Sequence, residues 1–203
     1  MQRDVHLELA LVELISSRIC HDLVGPVGAV NAGAELMGEA GVSDSEALEL
    51  MRKSGMEAAR RLQLFRLAFG RGGNNVDGPT VRDALRQVFD AEGKVTLEWR
   101  NPGAVDAATA RVILNMVMIV RDGLPFGGAI TVTGDSGEAI HVNATGKRAG
   151  FRPEVLKVLD GAGDRDDLDP RNVQVFFTRI LIERLGGHLG YRHENESIAL
   201  IHA

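Results

Sequence analysis

Two long apolar stripes of helical period, separated by only a few residues, constrain this chain more than any other feature. From Val5 to about Gly38, Leu7, Leu11, Leu14, Ile15, Ile19, Leu23, Val27 and Val30 recur at three- and four-residue steps. Asp4 is placed to cap the start, and Gly38-Glu39-Ala40-Gly41 to end the run. From about Ser45 to Phe69, Leu48, Met51, Gly55, Ala58, Leu62, Phe65 and Phe69 make a second stripe. So short a connection lays the two helices antiparallel. A lone hairpin cannot cover both stripes, whereas two copies packed as a four-helix bundle can, so a homodimer through residues 5–69 is expected. Gly70-Arg71-Gly72-Gly73-Asn74-Asn75 then reads as a linker, dividing a hairpin over 1–70 from a second part over 71–203.

Beyond the linker the periodicity changes. Val81 to Ala91 reads as a helix capped by Thr80, and Lys94 to Arg100 alternates like a strand. Asp106 caps an apolar helix to about Arg121, and Ile130–Thr133 with Ile140–Ala144 form a hairpin around Asp135-Ser136-Gly137. Val173 to Leu185 is a helix closed by Gly186-Gly187, and Ser197 to His202 is a last strand. This order gives an α/β sandwich with helices on one face of a mainly antiparallel sheet.

With 203 residues, 44% of them apolar and 25% charged, the chain is globular and long enough for two small domains or one larger one. A net charge of −5 and a pI near 5.7 argue against a nucleic-acid partner. Cys20, the single cysteine, demands neither an oxidising compartment nor a metal. Asp4, Glu8 and Glu13 interrupt any signal-peptide core, and the apolar run Val112–Val120 is far too short for a bilayer. A cytoplasmic protein with no membrane partner is expected.

Within the first helix, His21-Asp22-Leu23-Val24-Gly25-Pro26-Val27 sets an imidazole beside a carboxylate, five residues before a proline. A helical histidine is ordinarily a packed or solvated side chain, and Asp22 by itself is ordinarily a solvated charge. Side by side, the carboxylate can orient the ring and raise its basicity. The ring of Pro26 removes the hydrogen bond to the Asp22 carbonyl and bends the helix there. Ser17, Gly25, Gly28 and Ala32 lie near His21 at helical steps, so the imidazole projects from a strip of very small side chains. Each glycine in a helix interior costs about 1 kcal/mol relative to alanine. The strip therefore serves either close helix packing or, the preferred reading, the approach of a partner protein. Arg18 is assigned to the same docking surface. Equal distances from the hairpin turn bring Arg60 and Arg61 to the level of His21, where a basic pair attracts an acidic partner or is simply solvated.

The His21–Val27 run resembles the phosphoacceptor motif of two-component histidine kinases, in which an acid and a leucine follow the histidine and a proline stands five positions on. The part after the linker resembles the ATP-binding domain of those kinases, of the Bergerat or GHKL type, and departs from it box by box. Of two expected asparagines four residues apart on the helix over 106–121, Asn115 matches the first and Ile119 replaces the second, which holds magnesium in the family. Along Ile140 to Arg148, Ala144 stands at the adenine-binding aspartate, Gly146 matches a glycine and Arg148 replaces the next. Asn172-Val173-Gln174 stands in place of a phosphate-cradling glycine turn. The acidic segment Asp160–Pro170, where the family has its nucleotide lid, would repel phosphates. Without its carboxylate, its glycines and its metal-binding amide, such a domain is expected not to use ATP.

A phosphoacceptor hairpin joined to a nucleotide domain with its boxes lost is similar to the ChpT-type histidine phosphotransferases, and the resemblance covers essentially the whole chain. It implies an α+β fold, with a dimeric four-helix bundle followed by an α/β sandwich resembling a degenerate histidine-kinase ATP-binding domain. It further implies that His21 accepts a phosphoryl group, that Asp22 assists, and that receiver domains of a hybrid histidine kinase and of response regulators are the partners. No cofactor is expected, and Mg²⁺ would come from the receiver's acidic pocket. Gly25 stands where dual-function kinases carry a water-orienting Thr or Asn, which argues against strong phosphatase activity. Two alternatives stay open: a noncatalytic dimeric scaffold that docks on or inhibits a sensor kinase, which would need neither His21 nor Asp22, and an ATP-dependent histidine kinase, which would need the missing boxes.

Overall fold

The computed structural model describes residues 2–37, 43–70, 76–100, 105–134, 139–161 and 167–203. The expected terminator at Gly38–Gly41, linker residues 71–75 and the Asp135-Ser136-Gly137 turn lie outside them. Two helices, α1 (Gln2–Leu36) and α2 (Asp44–Phe69), run antiparallel as the short connection requires, with Gly33 against Ala47 and Met51 and Asp22 against Arg61. Ser43 starts α2 by a reciprocal cap: its hydroxyl accepts from the Glu46 N–H while the Glu46 carboxylate accepts from the Ser43 N–H. At the other helix the expectation needs correcting, because α1 begins at Gln2 and Asp4 lies inside the first turn. The helices approach closely at Gly33, where a Cβ would sit 2.5 Å from Met51 Cγ and 3.1 Å from the Ala47 carbonyl. Leu11, Leu14, Ile15, Ile19, Leu23 and Val30 are half-buried, but Leu9, Val12, Val24, Val27, Leu48 and Leu62 stay exposed on the hairpin. The pair of helices does not cover its own apolar surface.

The remaining elements are α3 (Gly78–Glu92), β1 (Val95–Arg100), α4 (Ala107–Asp122), β2 (Gly128–Thr133), β3 (Ile140–Thr145), α5 (Pro153–Leu159), α6 (Val173–Arg184), β4 (Leu189–Glu194) and β5 (Ser197–His202). The sheet order is β1-β2-β3-β5-β4; β1 pairs with β2 in parallel, from Val95 opposite Gly128, and every other pair is antiparallel. Sequence periodicity gives neither β4 nor α5. It also misplaces one cap: Asp77, not Thr80, begins α3, its carboxylate accepting from the Thr80 N–H at 2.8 Å, with Pro79 in the first turn. Asp106 caps α4 as expected, accepting from the Thr109 N–H at 2.8 Å.

α4 supplies the centre of the core. Val112, Ile113, Leu114, Met116 and Val117 are wholly buried, as are Ile130, Val132, Val142 and Leu200 on the strands it covers. Leu64, Leu67 and Ala68 at the end of α2 enter the same cluster, so the hairpin and the sheet layer share a core. Polar groups fix the junction. The Ala68 carbonyl, at the unsatisfied C-terminal end of α2, accepts from Arg111 Nε at 2.7 Å and from Asn115 Nδ2 at 3.3 Å. Asn115 Nδ2 also donates to the Arg111 carbonyl, and Asn115 Oδ1 accepts from Gln174 Nε2 at 3.2 Å. One buried amide thus ties α2, α4 and α6. Asn115→Ala, which removes these bonds and leaves Gln174 Nε2 only the weak Met118 Sδ acceptor, is expected to destabilise by about 2–3 kcal/mol, seen as a drop in melting temperature. Among the described residues no helix is long and apolar enough to cross a membrane.

Candidate functional site

His21 projects from the open face of α1 with 87% of its side chain accessible. Its Nδ1 lies 3.1 Å from Asp22 Oδ1. In the neutral tautomer that donates through Nδ1–H to this carboxylate, the Nε2 lone pair is left facing outward. That is the geometry of an oriented nucleophile. Four residues after Asp22, Pro26 is buried and brings no N–H to the Asp22 carbonyl, which instead accepts from Arg61 Nη1 at 3.1 Å.

Ser17, Arg18, His21 and Asp22 form one wall of a cleft of about 710 Å³. The facing wall comes from the sheet-bearing part: Ile119 and Asp122 on α4, Phe151 and Arg152 ahead of α5, Asp169 and Arg171 ahead of α6. Along the hairpin the other way, Gly25, Pro26 and Ala29 border a shallow groove with Ser54, Glu57 and Arg61. His21 opens onto both spaces. Ser17, Gly25, Gly28 and Ala32 are all exposed, and a Cβ on Gly25 or Gly28 would meet nothing within 4 Å. Within the chain, close packing falls to Gly33 instead.

The basic residues expected around His21 divide three ways. Arg61 is at its level. Arg60 lines a separate groove between α2 and α3, with Arg52, Met56, Val88 and Glu92. Arg18 is not an open docking group: its side chain is only 10% exposed and its Nη2 pairs with Asp122 Oδ2 at 2.5 Å. It reaches across to the last residue of α4 because the hairpin packs against the sheet layer, and this joins the two walls of the cleft.

Residues 78–197 match the histidine phosphotransferase C-terminal domain family. The chain belongs to the histidine phosphotransferase family. This phosphotransferase is 30% identical over 197 residues to the protein phosphotransferase ChpT of Brucella abortus (strain 2308), covering 94% of this chain and 93% of that protein. A solved structure described as that of a bacterial phosphotransferase is also 30% identical and superposes with a TM-score of 0.83, over 96% of each chain.

Of the positions where nucleotide-binding groups would be sought in this phosphotransferase, Ile119, Ala144 and Asn172 are buried and Arg148 is exposed. Ile119 is 4% exposed and Ala144 fully buried, neither offering an oxygen. Arg148 keeps the left-handed backbone a glycine favours, φ +58°, yet puts a long side chain there. Asn172 spends its amide on the Asp167 and Glu154 carbonyls, at 2.7 and 3.3 Å. At these positions the side chains of Ile119 and Ala144 are apolar and the Asn172 amide is already engaged within the chain. Sequence reasoning missed Asp122, Arg152, Asp169 and Arg171 as neighbours of His21. Their only sequence signal is charge near element ends, which does not say which cleft they face.

Proposed function

We propose that this phosphotransferase relays a phosphoryl group between receiver domains through Nε2 of His21, without ATP. The observation that carries the reading is the exposed imidazole whose Nδ1 is held by Asp22 at 3.1 Å. In the forward step the Nε2 lone pair attacks the phosphorus of a receiver's aspartyl phosphate, the P–O bond breaks, and the receiver's carboxylate departs with the electron pair. The phosphorylated ring becomes cationic, and Asp22 beside Nδ1 offsets that charge. Transfer to a second receiver reverses the step. The protein contributes position and electrostatics, as phosphoryl transfer demands, and the receiver's acidic pocket supplies Mg²⁺.

Residues 1–70 are the dimerisation and transfer unit on this reading, and residues 71–203 complete the cleft without binding nucleotide. A second copy covers the exposed Leu9, Val12, Val24, Val27, Leu48 and Leu62, giving a cytoplasmic homodimer. Partners are receivers of a hybrid histidine kinase and of response regulators, docking along Ser17, Gly25, Gly28 and Ala32 with Arg61 beside them. Arg18 supports that surface from beneath, and Arg60 offers charge at its margin.

Two receivers, one carrying radiolabelled phosphate, test the relay. Label is expected to reach the second receiver only when this protein is added. Millimolar Mg-ATP is expected to give no calorimetric binding heat and no labelling by itself. Autophosphorylation from ATP, with contaminating kinase excluded, would make the protein a kinase and overturn the ATP-independent reading.

A further inference from the structure

We propose that Arg61 is a positioning residue for phosphoryl transfer, acting through the Asp22 carbonyl that Pro26 deprives of its regular helical donor, the N–H four residues on. The inference rests on His21 being the acceptor. In an uninterrupted helix the N–H of residue 26 would bond the carbonyl of residue 22. Pro26 has no N–H, so the turn that carries His21 and Asp22 lacks one of the bonds that would hold its backbone rigid. Arg61 supplies the missing donor from the other helix, with Nη1 3.1 Å from that oxygen.

The arginine is itself fixed. Its Nη2 pairs with Glu57 one turn earlier on α2 at 2.7 Å, and its side chain is only 31% exposed. A planar guanidinium can serve both acceptors at once in a set geometry, which a single ammonium does less well. The consequence runs through one residue. The Asp22 carbonyl accepts from Arg61 and the Asp22 carboxylate faces His21 Nδ1, so a twist of this peptide moves the partner that orients the nucleophile. α2 thereby sets the aim of the imidazole on α1. Proline opens the helix wall beside the acceptor, and arginine closes the opened bond.

Arg61→Met and Pro26→Ala, singly and together in the full chain, separate this role from a docking charge. Transfer is measured from a phosphorylated receiver over a range of receiver concentrations. Arg61→Met alone is expected to lower kcat by about tenfold with KM little changed, because the acceptor is misaimed while the small-residue strip that docks the receiver stays and the Arg61 charge is already engaged by Glu57. With Pro26→Ala, position 26 again supplies an N–H to the Asp22 carbonyl, and Arg61→Met is then expected to change kcat by about twofold or less. An equal loss in both backgrounds, or a salt-sensitive rise in KM as the main effect, would overturn the proposal. If Pro26→Ala by itself stops transfer, hydrogen exchange of the α1 amides over residues 19–25 reads the same cycle. Arg61→Met is expected to speed exchange only where Pro26 is kept, and equal speeding in both backgrounds would refute it. A wild-type protein that never gains label at His21 would remove the functional reading, whereas a labelled wild type with an unaffected Arg61→Met variant would remove this inference alone.

Discussion

His21→Ala is expected to abolish phosphoryl labelling from a phosphorylated receiver while leaving the assembly intact. The imidazole is 87% exposed and its hydrogen-bond partner is the equally local Asp22, so truncation removes little packing. Surface substitutions of this kind change stability by about 0.5 kcal/mol or less. The chemical loss is total because transfer needs the nitrogen lone pair itself. Labelling, melting temperature and sedimentation on the same preparation check both halves. His21→Gln extends the test: docking rests on the surrounding strip, so receiver affinity is expected to stay near native while transfer stops. Labelling retained in His21→Ala would move the acceptor elsewhere, and loss of binding in His21→Gln would show the docking surface to be misread.

Gly28→Arg has the second largest expected effect, and it separates docking from architecture. A side chain at residue 28 meets nothing within 4 Å in the chain, so the long arginine has room. Arginine also favours a helix interior over glycine by roughly 0.8 kcal/mol. Melting temperature is therefore expected to hold or rise. Transfer is expected to fall steeply, because the added side chain stands where a receiver must approach. Were Gly28 instead covered by a second copy, the arginine would bury an unpaired charge between helices at a cost of several kcal/mol. A melted or monomeric Gly28→Arg protein would reject the docking strip; a stable dimer with impaired transfer supports it.

What was legible in the chain follows from how local each signal is. The long helices announce themselves because their stripes repeat over many turns, and Asp106 is readable as a cap because the residue that it caps is three positions away. Thr80 misled because Asp77, Gly78 and Pro79 make an equally local and stronger start, with the proline preset for the first turn. β4 is silent in the sequence for a tertiary reason. It is an edge strand whose residues beyond Leu189 are at most half-buried, so Leu189-Gly190-Tyr191-Arg192-His193-Glu194 carries no alternation. α5 spans seven residues, too few for a helical period to register.

The site shows the same division. His21, Asp22 and Pro26 are read together because their relation is written within one helix. Arg18 looked like a surface charge beside them, but its partner Asp122 is 104 positions away and no local pattern reveals it. Pro26 states that the Asp22 carbonyl lacks its regular helical donor, and only the packing of α2 on α1 states that Arg61 provides one. Asn115 is the reverse case. It resembles a nucleotide-helix residue in sequence, yet its amide is occupied in holding α2 to α4 and α6.

Locating the phosphoryl group on the wild-type protein is the most direct test of the central claim. After incubation with a radiolabelled phosphorylated receiver, the chain is digested and the labelled peptide is sequenced, with its stability compared in acid and in alkali. A phosphohistidine account predicts a single labelled peptide containing His21, with label lost in acid and retained in alkali. Label on a peptide without His21, label that survives acid and is lost in alkali, or a chain that stays unlabelled while phosphate moves between receivers would contradict it.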